Sequence, residues 1–139
     1  MVSKESYVYL ETAEEQLTDA EWAFKKGRHA LCAFLSASCA ENATAALLIA
    51  LGVKPSKKHR NSLVLYKLAL SVPPKLREDL MKIVESMKIL EPHVTKARYP
   101  IRRGLELFPP SKYYTKEVAE EAIAHAQKVV KKVKQLVAK

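Results

Sequence analysis

Ala30 to Leu51 reads ALCAFLSASCAENATAALLIAL, a stretch apolar nearly all the way round a helix, and its reading decides the fold. Its 22 residues are close to the length that crosses a bilayer. Two features argue against a membrane. Glu41 and Asn42 stand at its middle, where a carboxylate costs about 3 kcal/mol. The remaining residues are mostly Ala, Ser and Cys rather than Leu and Ile. The stretch is therefore expected to be a core helix enclosed by others. Gly52 ends it and Pro55 prevents its resumption. On its N-terminal side the short turn Gly27, Arg28, His29 joins it to an amphipathic segment, Ser3 to Lys26. There Tyr7, Leu10, Ala13, Leu17, Ala20 and Phe24 share a stripe, and Glu11, Glu15, Asp19 and Lys25 take the other side. A connection that short makes the two helices antiparallel neighbours, the beginning of an up-and-down bundle.

On the C-terminal side a basic loop, Lys54 to Arg60, precedes a short helix carrying Leu63, Leu65, Tyr66 and Leu68, with Ser62 as its expected cap. Pro73 and Pro74 close that helix and start the next, whose stripe is Leu76, Leu80, Ile83, Val84, Met87 and Leu90. Pro92 breaks it near His93. A loop from Pro100 to Tyr114 follows, with no period-two run long enough for a strand. Thr115 then caps a last helix with Glu117, Glu120 and Glu121 early and Lys128, Lys131, Lys132 and Lys134 late, both matched to the helix dipole. The expected fold is all-α: an up-and-down bundle of four long helices and one short one, a single domain over residues 1–139.

The 139-residue length suits one core, and 48% hydrophobic residues can fill it. Three Gly, seven Pro and 28% charged residues exclude a disordered, collagenous or low-complexity chain. The charge is +9, which attracts polyanions and also favours solubility. The carboxylates are nearly all Glu, with little Asn or Gln, a balance resembling that of thermophile proteins. Cys32 and Cys39 lie seven apart in one helix, about 10 Å along its axis, too far to bond to each other. They are expected as half-buried, reduced thiols. No apolar run opens the chain, so the expected location is the cytoplasm.

Glu41 is the most informative position, because a carboxylate in so apolar a helix needs a partner. The run Lys96, Ala97, Arg98, Tyr99, Pro100, Ile101, Arg102, Arg103 supplies candidates, and Arg98 is the expected one. Two readings stay open: an internal salt bridge pinning the loop to the bundle, or a cleft in which Arg98 also meets an anionic ligand. His59 could contact phosphate or belong to a solvated basic loop, and His29 reads as a solvated turn residue. Glu121 and His125 are four apart and lack the counterpart that a bundle metal site requires. No P-loop or glycine-rich dinucleotide turn is present in the sequence. The expectation is therefore no metal, no cofactor and no catalytic residue.

The run Ala33, Phe34, then Ala40, Glu41, Asn42, Ala43 through Leu47, Leu48, Gly52, Val53 and Pro55, with His59 just beyond, resembles the second helix and following loop of HEPN domains (higher eukaryotes and prokaryotes nucleotide-binding). The first-helix pattern ending in Gly27, the Ala97, Arg98, Tyr99, Pro100 run and the closing Tyr114, Thr115, Glu117, Ala119 extend the likeness over nearly the whole chain. The chain departs from the pattern at Ala37, Ser38 and Asn42, where many relatives carry Gln and Lys. The resemblance implies about five helices, a homodimer, and a cleft binding nucleotide or RNA. Enzymatic members of the superfamily are ribonucleases with an Arg followed after four to six residues by a His, and no arginine here has that spacing. Some non-catalytic relatives act beside a separate nucleotidyltransferase. The function implied is a non-catalytic, homodimeric module binding a nucleotide or working with such a partner, its ligand-binding residues Glu41, His59, Lys96, Arg98 and Tyr99. The alternatives are a non-specific RNA binder using the Lys54–Arg60 and Lys96–Arg103 patches and a divergent ribonuclease. Homodimerisation has a separate motive in the Ala, Ser and Cys side of the second helix, which permits close helix approach.

Overall fold

The computed structural model describes residues 3–138. Its elements in order are α1 (Lys4–Lys25), α2 (His29–Ala50), α3 (Asn61–Ala69), α4 (Pro74–Leu90), the single turn α5 (His93–Lys96), β1 (Ile101–Arg103), β2 (Glu106–Phe108), a 3-10 turn at Pro110–Lys112 and α6 (Lys116–Val137). This is the expected all-α bundle, with α1, α2, α4 and α6 long and α3 short. The hairpin is the exception. The Pro100–Tyr114 segment pairs Ile101 with Phe108, Arg102 with Leu107 and Arg103 with Glu106, and Gly104 at φ 62° opens the two-residue turn between them. Strands of three residues are too short for an alternation to register in the sequence.

α2 is the axis. It packs on α1, α6, α3, α4 and α5, and although it is long and apolar enough to cross a membrane, 67% of that apolar window is buried inside the bundle. Its small side is already occupied. Cys32, Ala33, Ser36, Ala37, Cys39 and Ala40 are all buried, so the face expected to seat a second copy packs within the protein itself. Both thiols are fully enclosed rather than half-buried. On α1 the buried set is Ser6, Leu10, Ala13, Ala20 and Ala23, while Tyr7 is 60% exposed and does not belong to the stripe. Ser6 takes its place, donating to the Ala46 carbonyl at 2.7 Å. A small side chain with a satisfied hydroxyl lets the two backbones approach. Gln16 then links both edges of the same seam, donating to Ser38 Oγ at 2.9 Å and accepting from Asn42 at 2.8 Å.

The rest of the core comes from Leu47, Leu48, Leu65, Leu80, Ile83, Met87 and Leu90, all fully buried. Each contributes roughly 1.5–3 kcal/mol relative to exposure. At the other end Thr115 caps α6 as expected, accepting from Val118 N at 3.2 Å. Ser62 does not cap α3. It lies inside the first turn, and the Glu91 carboxylate, from the end of α4, accepts its backbone N–H at 2.9 Å and its hydroxyl at 2.6 Å. The capping oxygen is thus supplied from 29 residues away.

Candidate functional site

The loop between α2 and α3 is held by Asn61, which is 1% exposed. Its amide nitrogen donates to the Glu41 carbonyl at 3.1 Å and Thr44 Oγ1 at 3.0 Å, and its oxygen accepts from Ser56 N at 2.9 Å. Ser56 Oγ in turn accepts from Lys58 N and Arg60 N. This forces the chain through His59 in the left-handed region, φ 59°, and turns its ring toward α2. His59 Nδ1 lies 2.5 Å from Glu41 Oε2.

Glu41 is therefore paired with His59, not with Arg98, and it is only partly buried. The reason is longitudinal. Arg98 packs its guanidinium 5.4 Å from the ring centre of Phe34 and 5.1 Å from that of Tyr99. Phe34 precedes Glu41 by seven residues, about 10 Å along the helix. Arg98 is exposed and stacked, at the distance of a cation–π contact.

The expected site residues thus divide. Arg98 and Tyr99 line a cleft of about 640 Å³ with Arg28, His29, Phe34 and Tyr114. His59 lines a separate one of about 380 Å³, with Lys58, Arg60, Lys88 and Glu91. Lys96 is exposed and lines neither; its carbonyl accepts from the Tyr113 hydroxyl at 2.6 Å.

The larger cleft contains residues that sequence reasoning undervalued. His29 is half-buried rather than a solvated turn residue, and its Nδ1 is buried with no hydrogen-bond partner among the described residues. The uncapped amino end of α2 lines the same cleft, a position that favours anions. His93 binds the Tyr114 hydroxyl through Nδ1 at 2.7 Å. Burial, aided by Lys96 and opposed by Glu121, holds its imidazole below the ordinary value, so the neutral form is favoured. Burial also pushes the Tyr114 phenol up to about 12. The Tyr113, Tyr114 pair beside Thr115 was the one available signal for this wall.

The HEPN domain profile matches residues 6–136. A candidate toxin of Methanocaldococcus jannaschii, MJ1304, is 30% identical over 136 residues, 94% of this chain and 87% of that protein. Two solved structures share the fold. TT1696 from Thermus thermophilus has TM-score 0.72 and 28% identity, over 96% of this chain and 98% of that one. ST0689, described as an archaeal HEPN homologue, has TM-score 0.73 and 29% identity, over 97% and 99%. With bundle, element order and profile in agreement, the chain belongs to the HEPN domain family.

Proposed function

We propose that this protein is a non-catalytic HEPN module that binds a nucleotide in the cleft of Arg28, Arg98 and Tyr99. It acts in the cytoplasm as a homodimer beside a separate nucleotidyltransferase. The observation that carries the reading is Arg98 stacked on Phe34 and Tyr99 at the wall of a 640 Å³ cleft that Arg28 also lines. Arg98 takes one face of the Tyr99 ring, yet Tyr99 is still 53% exposed, so a base has a ring to stack on. Two guanidiniums and the amino end of α2 supply donors for phosphate. Lys96 adds positive potential nearby, while Glu41 and His59 act by fixing the α2–α3 loop.

Calorimetric titration with ATP, other nucleotides and a short single-stranded RNA, at two salt concentrations, tests this. Saturable nucleotide binding that Arg98→Ala weakens by about 10- to 100-fold, as loss of a charge-assisted bond predicts, is the expected result. Binding of RNA alone, falling steeply with salt and indifferent to Arg98, would replace the reading with that of a non-specific RNA binder. A second reading, a divergent ribonuclease, draws on the likeness to the candidate toxin and on a neutral His93 bonded to a residue of the cleft wall. It requires RNA cleavage that His93→Ala and Arg98→Ala both abolish.

A further inference from the structure

A third concavity lies on another face, between α4 and α6. It measures about 600 Å³, and its walls come from Lys82 to Ile89 on one helix and His125 to Gln135 on the other. The floor is apolar: Ile83 and Val129 are buried there, and Ile89 is left 37% exposed at the edge. A hydrogen bond between Ser86 Oγ and His125 Nδ1, 2.9 Å long, ties the two helices across it. Around this floor stand Lys82, Lys128, Lys131 and Lys132 against a single carboxylate, Glu85. Lys82 pairs with Glu78 at 3.5 Å and Lys132 with Asp79 at 3.2 Å, whereas Lys128 and Lys131 make no ion pair among the described residues.

Exposed Ile89 and the aliphatic stems of the groove's lysines, with Lys128 and Lys131 unpaired among the described residues, are complementary to a surface that is apolar along one stripe and acidic beside it. A nucleic acid would use the ammonium groups and leave Ile89 and the stems idle. We propose that the groove between α4 and α6 docks an acidic amphipathic helix of a partner protein, its apolar stripe on Ile89 and the aliphatic stems of the lysines and its carboxylates on Lys128 and Lys131. The α6 wall runs about ten residues, about 15 Å, room for roughly three turns of the incoming helix. This surface shares no residue with the Arg98 cleft, and the proposal does not depend on nucleotide binding there.

The probe is a labelled synthetic peptide of about 16 residues, with Leu at spacings of three and four and Glu on the flanks. Binding is followed by fluorescence anisotropy and by amide shifts in nitrogen-15-labelled full-length protein. The expected result is saturable binding with shifts confined to residues 82–89 and 125–135. The double reversal Lys128→Glu with Lys131→Glu should weaken it about tenfold or more, and Ile89→Asp should do the same. All three positions are at the surface, and circular dichroism verifies that each variant folds. Lys25→Glu with Lys26→Glu, which changes net charge equally at an unrelated place, should leave binding unchanged. Equal loss in that control, shifts scattered over the surface, or no binding would each overturn the proposal. So would RNA occupying the groove in place of the peptide, or an oligomer that the Lys128, Lys131 reversal turns into monomers, since the occupant would then be a second copy.

Discussion

Replacing Asn61 by Asp separates hydrogen-bond chemistry from shape, because the two side chains are nearly the same size. Asn61 makes three bonds, donating to Glu41 O and Thr44 Oγ1 and accepting from Ser56 N, at 3.0–3.1 Å and 2.9 Å, and it is 1% exposed. At about 1 kcal/mol for each neutral bond, Asn61→Ala should cost about 3 kcal/mol. Asn61→Asp keeps the bond from Ser56 but turns a double donor into an oxygen facing two oxygens. It must ionise in a dry site or spend its one proton on one of two acceptors, so it should cost about as much as the alanine. At about 4 °C per kcal/mol for a chain of this size, both variants should melt about 12 °C lower. Urea unfolding is the assay, with both midpoints falling and the slope unchanged. An aspartate within about 0.5 kcal/mol of the native protein, beside an alanine that costs about 3, would refute the reasoning. The atom facing the Glu41 carbonyl would then not be the amide nitrogen.

Two further outcomes follow from buried titratable groups. His93 has its pKa lowered in the folded state, first by burial and then by Lys96, so the unfolded chain binds the proton more readily. Its contribution to stability is fully present above the unfolded imidazole value of about 6.5 and is lost as pH falls through it toward the lowered folded value. Melting temperatures measured down this range should fall more steeply for the native protein than for His93→Gln, and parallel curves would contradict the assignment. Cys39, raised to about 12 by burial with Glu21 and Glu14 adding, should resist a disulfide reagent at mildly alkaline pH, as should enclosed Cys32. Both thiols should react in guanidinium chloride; prompt reaction of Cys39 in the folded protein would show that the α1–α2 seam opens.

What the sequence displayed depended on range. The course of α2, its stops at Gly27 and Gly52 and the Thr115 cap are local matters of periodicity and backbone freedom, and they stand where the residues put them. The same periodicity could not place Arg98 along α2, since it gives a side chain's face and not the height at which a distant segment crosses. A basic residue after Pro92 is therefore readily matched to the wrong turn, Glu41 instead of Phe34. The cap on α3 failed similarly. Ser62 has the right chemistry at the right place, but Glu91 reaches the same amide from another helix, and no local pattern announces that. Of the expected site, Arg98 and Tyr99 come together because they are neighbours in sequence. Arg28, His29 and Tyr114 join them only through the packing of α2, α5 and the 3-10 turn.

The central place of α2 also bears on the order in which the chain is synthesised. α2 is complete by Ala50, but the helix that closes over its Cys32 side, α6, begins only at Lys116; Cys32 Sγ rests against the Ala119 carbonyl there. While a ribosome makes the intervening residues, a segment with the hydropathy of a membrane span is covered by α1 and then by α3, α4 and α5 as they emerge, but its Cys32 side stays open. The α1–α2 pair can form early because its turn is short, and it removes one face of the apolar surface that chaperones or a bilayer would otherwise meet. The 22-residue α6 is the element that ends this exposure, so the Cys32 side of the most apolar helix stays open until residues 116–137 have been made and have folded back on it.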